Sequence, residues 1–353
     1  MTPSRRSGRI RFSQTRKHLA LAVAFLCCVA PLSAQMFVSF DAPDAGTLQN
    51  QGTFPVCISE SGVIAGQYID AGNLVHGFVR SDSGMITEFD PPGLVDNFVN
   101  GINRLGQVVG YGSHVTSHGS SVVGFRRNQN GQFVPIGPPG ALDTFPDAIN
   151  DSGEVAGFFD DIKGVAHGFL RDASGVYTVF NEPNASMKFG QGTFVRAMNA
   201  YRTTTGYYND ASTGQLRGFI LDRFGNFTSF DPSGSTGTDS SAINRSGQVT
   251  GTYSDSSQVT HSFLRGASGS ITSFEVSGSI ATFATGINDA GTIVGQWDSS
   301  ENSFLGFERV PSGSITSFSA SPPNNTTPAA INNAGHITGY YVDSNGVVHG
   351  FVK

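Results

Sequence analysis

Cross-linking thiols, membrane-length apolar runs and basic charge are what this sequence has least of. Two of its three cysteines, Cys27 and Cys28, fall in the first 34 residues, which leaves Cys57 alone in the rest of the chain. A single thiol cannot close an internal disulfide, so a core must hold the fold. In equivalent segments the place of Cys57 is taken by Gly101, Ala148, Ala197, Ala242, Gly286 and Ala330. That is the setting of a small buried side chain rather than a nucleophile. The apolar run from Leu19 to Ala30 is too short to span a bilayer, and no second run follows it. Charged residues make up only 14% of the chain. Six of the 21 basic residues and none of the 27 acidic ones precede residue 35, so the remainder carries a net charge of −12. Such a surface offers no basic field for phosphates and excludes nucleic acid as the expected partner. Nucleophile elbows, His-Glu-x-x-His pairs and phosphate loops are missing from the sequence as well.

The N-terminus looks like a targeting segment. Arg5, Arg6, Arg9, Arg11, Arg16 and Lys17 precede the apolar run, and Leu32-Ser33-Ala34 supplies small residues before Gln35. A signal peptide over 1–34 and a secreted or surface-exposed chain over 35–353 are expected, with no membrane span in the mature chain.

What the sequence has in abundance is repetition. A motif built on Ile-Asn-x-x-Gly recurs with its first residue at Ile58, Ile102, Ile149, Met198, Ile243, Ile287 and Ile331, spaced 44 to 49 residues apart. This is the period of a four-stranded propeller blade. In the third repeat, Thr144–Ile149, Glu154–Phe159, Val165–Arg171 and Val176–Phe180 have strand chemistry, and Asn150-Asp-Ser-Gly153 joins the first pair as a tight turn. Large apolar slots also repeat. The third segment always carries Phe, from Phe78 to Phe351, and the fourth carries Phe89, Ile136, Phe180, Phe230, Phe274 and Phe318.

The seventh copy stops at Gly350-Phe351-Val352-Lys353, without a fourth segment, and the missing piece stands at the other end as Phe37-Val-Ser-Phe40-Asp41. The expectation is an all-β, seven-bladed β-propeller of four-stranded blades. Its ring is closed by the N-terminal strand, about 36–42, which completes the last blade. A β-solenoid is the alternative, but it would need distinct caps at its ends.

The strings His167-Gly-Phe-Leu-Arg171 and Ala148-Ile-Asn-Asp-Ser-Gly-Glu-Val-Ala-Gly157, with His76-Gly-Phe78 and His349-Gly-Phe351, resemble the HAF family of probable extracellular repeats in bacteria. The resemblance covers nearly the whole chain after residue 34. It implies export and a β-rich repeat fold and brings no catalytic residues with it.

Several residue sets invite chemistry. His76, His167, His261 and His349 hold one repeat position, where the imidazole is expected to bridge backbone groups of neighbouring strands. His114 and His118 lie in a local insertion, expected as a solvated loop. Asp70, Asp160 with Asp161, Asp210, Asp255, Asp298 and Asp343 follow the second segment and are expected as turn caps rather than calcium loops. The position two before the repeated Ile varies most, as Val56, Asn100, Asp147, Arg196, Ser241, Thr285 and Ala329. Asn100, Asp147 and Arg196, with Lys188 from the longest repeat, form the expected ligand-binding sector, unless Asp147 and Arg196 merely pair with each other. Asp96, Asp143, Asp147 and Asp239 are the carboxylates expected near one rim. No metal, cofactor or catalytic residue is expected. The sequence favours a monomeric, non-catalytic binding or scaffolding module for glycans or extracellular proteins, against a carbohydrate-active hydrolase or lyase.

Overall fold

Every repeat builds an antiparallel sheet because its turn residues can take conformations that its strand residues cannot. In the third repeat Asn150 Oδ1 accepts from the amides of Ser152 and Glu154 at 3.0 and 3.1 Å, and Gly153 takes φ of 79° to close the hairpin. The fourth repeat puts Arg202 at the glycine's place and keeps the same turn at φ of 65°. The computed structural model describes residues 36–117, 119–299, 303–321 and 325–353. The targeting segment expected over 1–34 and His118 lie outside the described residues.

Residues 36–353 form one unit in which the repeats become strand quartets. The third runs Ala141–Ile149, Val155–Asp161, Ala166–Arg171 and Tyr177–Phe180, paired in that order. Five repeats form separate four-stranded sheets of this kind. The other eight strands form one hydrogen-bonded network. In it the N-terminal strand Val38–Phe40 pairs antiparallel with the C-terminal strand Val348–Val352, with Phe40 opposite Gly350. A single parallel bridge, Gly52 to Val348, then links the last repeat to the first.

Phe40 takes the place of a fourth-strand phenylalanine in its contacts as well as its pairing. Its ring meets Phe78 edge-on at 6.1 Å, as Phe89 meets Phe125 at 6.2 Å and Phe274 meets Phe307 at 6.1 Å. Arg80 covers it at 4.7 Å, as Arg309 covers Phe274 at 4.8 Å. The third-strand phenylalanines, from Phe78 to Phe351, are at most 2% exposed and form the core between neighbouring sheets. Side-chain links also run from repeat to repeat near the first turn. Asn103, Asn199, Asn244 and Asn288 each donate to the backbone carbonyl of the equivalent residue one repeat on, and Asn332 donates to Ser59 at 3.1 Å.

Every first strand carries a β-bulge at one position. The pairing register slips between Pro55 and Cys57, Val99 and Gly101, Pro146 and Ala148, and Val195 and Ala197, and likewise in the last three repeats. The extra residue is the variable one: Val56, Asn100, Asp147, Arg196, Ser241, Thr285 or Ala329. A bulged residue is freed from the ladder and its side chain is re-aimed, which allows this position to vary.

Candidate functional site

All seven repeats contribute to one cavity of about 430 Å³. It is lined by the six repeated isoleucines and Met198, and by the turn residue two places after each: Glu60, Arg104, Asp151, Ala200, Arg245, Asp289 and Asn333. Side chains of this second set cap the neighbouring turns. The amide of Arg104 donates to Asp151 Oδ1 and that of Arg245 to Asp289 Oδ1, both at 2.8 Å. The amide of Asp289 donates to Asn333 Oδ1 at 2.7 Å, and that of Asn333 to Glu60 Oε2 at 3.0 Å. Ala200 has no side chain for such a link. The Arg245 guanidinium donates to Tyr201 OH at 3.1 Å, and Arg104 stands 3.8 Å from Asp151 with 65% of its side chain exposed. Burial raises the carboxyl of Glu60 above its ordinary range. Guanidinium donors and carboxylate acceptors thus share one concave, mostly polar surface, a composition that suits a ligand with hydroxyl and carboxylate groups.

A second polar group is built on the bulges. An aromatic chain runs through Phe98, Tyr111, Phe145, Phe158, Phe194 and Tyr207, with successive centroids 4.7 to 5.1 Å apart. In the fifth repeat Asp239 stands where this chain would place another phenylalanine. Arg196 covers the last ring, Tyr207, at 5.2 Å and lies 3.8 Å from Asp239. Asn100 Nδ2 donates to Asp147 Oδ1 at 3.1 Å and to the Pro146 carbonyl at 3.0 Å. Asp147 Oδ2 is buried with no hydrogen-bond partner among the described residues. Burial pushes the Asp147 carboxyl up to about 8, with Arg196 opposing and Asp239 adding to the shift. Asp239 is raised by burial too.

The structure thus places Asn100 and Asp147 in contact and Arg196 in the same electrostatic group, but the ion pair of Arg196 is with Asp239 rather than Asp147. Lys188 stands apart. Its loop is tied to Gly164 and Asn209 by the amides of Gly190 and Ser186, at the end where strand Thr193–Met198 begins, whereas Arg196 lies two residues from its far end. Of the four carboxylates expected on one rim, Asp96 and Asp143 cap the amides of Val75 and Val122, and Asp239 alone joins Asp147. Tyr111, Tyr207 and the role of Asp239 were missed by sequence reasoning. The available signal was an aspartate in a slot otherwise filled mostly by phenylalanine.

Because the folded protein holds Asp147 protonated where the unfolded chain ionises, the native state binds the extra proton between the ordinary carboxylate range and about pH 8. The contribution of Asp147 to stability is therefore greatest at low pH and declines as pH rises to about 8. Asp147→Asn is expected to raise the melting temperature at pH 8 and to flatten its pH dependence. Melting curves of both proteins across this range check it, and identical slopes would contradict the assignment.

The repeat histidines do not bridge backbone groups. His76 lies between Asp70 at 3.5 Å and Asp90 at 2.9 Å, and His349 between Asp343 at 3.8 Å and Asp41 at 3.0 Å. His261 is held by Asp255 and Glu275, His167 by Asp161 and Asn181, and in the fourth repeat Arg217 lies between Asp210 and Asp231. The turn aspartates do both jobs. Asp70 Oδ1 accepts the amides of Gly72 and Leu74, and the Leu74 amide leads in holding its carboxyl below the ordinary range while Oδ2 meets His76. His114 lies in strand Val108–Thr116 of an extended hairpin, not in a loop. The Cys57 thiol donates a hydrogen bond to the Ala65 carbonyl, and burial pushes its pKa up to about 12, far from a nucleophile's range. Among the described residues no group of three or more His, Cys, Asp or Glu could hold a metal ion, and no helix is long and apolar enough to cross a membrane.

No protein-family model matches this chain, and no curated protein does. Solved structures do. Dipeptidyl peptidase 4 of Porphyromonas gingivalis aligns over 86% of this chain and 55% of its own at 10% identity, with a TM-score of 0.51. A structure from a study of two prolyl endopeptidases aligns over 84% and 47% at 10% identity, with a TM-score of 0.57. The BP39L lectin of Burkholderia pseudomallei aligns over 86% and 96% at 11% identity, with a TM-score of 0.53. The chain spans about half the length of both peptidases and nearly all of the lectin. At such identities the likeness is one of fold, a β-propeller arrangement of repeated four-stranded sheets.

Proposed function

We propose that this protein is an exported, monomeric, seven-bladed propeller of the HAF-like repeat type that binds glycans or extracellular proteins without transforming them. Closure of the ring is supported by the pairing of Val38–Phe40 with Val348–Val352, and by the bond from Asn332 to the Ser59 carbonyl. The observation that carries the binding reading is the shared cavity. One scaffold position from each repeat presents Glu60, Arg104, Asp151, Ala200, Arg245, Asp289 or Asn333. Six of these seven equivalent positions carry donors or acceptors, which suits many modest contacts to a polyhydroxylated or acidic sugar. The lectin that shares the fold is compatible with that reading.

A second reading, a carbohydrate-active hydrolase or lyase, has one observation in its favour: Asp147 and Asp239, both raised above the usual carboxylate range, flank Arg196. The two readings separate in one experiment. Purified protein is incubated with a panel of neutral and acidic polysaccharides, with retention and soluble products read by mass spectrometry. The binding reading expects retention without products, and at least tenfold weaker retention on Arg104→Ala with Arg245→Ala. New oligosaccharides that disappear in Asp147→Asn would establish the enzyme instead.

A further inference from the structure

Two loops share one backbone frame and present opposite chemistry. Residues 42–52 and 182–192 each lead into a first strand. Ala45 bridges Asp70 in one, and Ala185 bridges Asp210 in the other. Gly52 pairs in parallel with Val348, and Gly192 with Ala166. In the first loop Gln49 packs over Gly346, and in the second Phe189 packs over Gly164. Among the positions that differ are those of the exposed tip. Thr47, Leu48 and Gln49 become Met187, Lys188 and Phe189, while Ser344 and Asn345 of the apposed turn become Ile162 and Lys163.

The outcome is a projecting apolar cluster with cations on it. Phe189 is 84% exposed, Ile162 83% and Met187 54%. Three lysines lie among the described residues. Lys353 is bound to Glu308, and the other two are Lys163 and Lys188, both exposed at this cluster. Asp161 beside them is engaged by the turn amides and His167. Leu48, Leu74, Val115, Leu142 and Ile280 stand at the same end of the sheets, each about half exposed or more.

We propose that this end of the protein docks on a phospholipid surface, with Ile162, Met187 and Phe189 entering the headgroup region and Lys163 and Lys188 meeting lipid phosphates. Side chains this exposed stand out from the surface instead of lining a groove. Burying them requires a soft partner that closes around a protrusion, which the interfacial zone of a bilayer does. Lysine stems can lie against the apolar zone while their ammonium groups stay at the phosphates. On residues 35–353, whose net charge is −12, the two lysines also decide which end faces an anionic surface.

The test uses vesicles of phosphatidylcholine, alone or mixed with phosphatidylglycerol. In Phe189→Trp, fluorescence is expected to be quenched by brominated phospholipid, whereas Phe224→Trp, 75% exposed in a third-to-fourth strand turn at the opposite end, stays unquenched. Flotation of Phe189→Gln with Ile162→Ser should show about tenfold weaker partitioning. Lys163→Gln with Lys188→Gln should lose on the order of tenfold on the mixed vesicles and little on phosphatidylcholine alone. Absence of quenching at residue 189 would overturn the proposal. So would a concentration-dependent dimer in sedimentation that Phe189→Gln abolishes, which would assign the patch to a second copy of this chain.

Discussion

A chain lacking residues 35–43 is expected to lose about 5 kcal/mol of stability or to aggregate outright, because two large aromatic side chains leave at about 1.5–3 kcal/mol each. Phe37 packs on Phe318 and Phe351, both at 5.8 Å, and Phe40 packs on Phe78. The deletion also removes the buried bond from the Ala42 amide to Thr53 Oγ1. It bares the outer edge of strand Val348–Val352, an unpaired row of backbone groups next to apolar side chains, which is the form of edge that recruits other chains. Denaturant unfolding of the full and shortened chains, with light scattering to catch aggregation, checks this. Equal midpoints would mean that the N-terminal strand contributes nothing to the last repeat.

Gly206→Ala should be nearly as damaging, at about 3–5 kcal/mol, as severe overpacking against backbone demands. A methyl group at Gly206 would come within 1.9 Å of the Phe194 carbonyl oxygen in the paired strand. The same approach recurs in every second strand, at Gly66, Gly110, Gly157, Gly251, Gly295 and Gly339, each within 2.2 Å of a first-strand carbonyl. Backbone cannot yield as a side chain can. Gly234→Ala is the control: its φ of 81° strains an alanine, but nothing lies within 4 Å, so about 1–2 kcal/mol is expected. Equilibrium unfolding of both variants decides the matter, and similar losses would remove close approach as the reason for the glycine.

Much of the fold was legible because it is written seven times. Period, turn chemistry and the third-strand phenylalanine each recur at fixed offsets, and repetition averages away the ambiguity of any single segment. The first turn of the fourth repeat shows how far the pattern carries: Arg202 replaces glycine, yet the neighbouring chemistry keeps φ at 65°. The site was legible in its position and not in its partners. The variable residue before each isoleucine was visible, but the bulge that frees it is a matter of register between strands. Arg196 chooses Asp239 over Asp147 because the aromatic chain ends at Tyr207, and no spacing along the chain reveals that ending. The histidine clasps were closer to reach. His76 and Asp90, His167 and Asn181, and His261 and Glu275 all stand 14 residues apart, a constant offset that follows from one third-to-fourth hairpin. His349 finds Asp41 across the termini, which hides the rule in that repeat.

The bulges have an evolutionary consequence. In an ordinary ladder position a new side chain must satisfy both its own strand and the one opposite, so most changes are tested first by folding. Residues 56, 100, 147, 196, 241, 285 and 329 stand outside that pairing and already range from Ala329 to Arg196. Mutation there escapes the cross-strand requirement and answers instead to the neighbouring repeat, as Asn100 does through Pro146 and Asp147 and Thr285 does through Pro328. A chain made this way confines its freest changes to contacts between repeats and leaves the ladder of each sheet as it was.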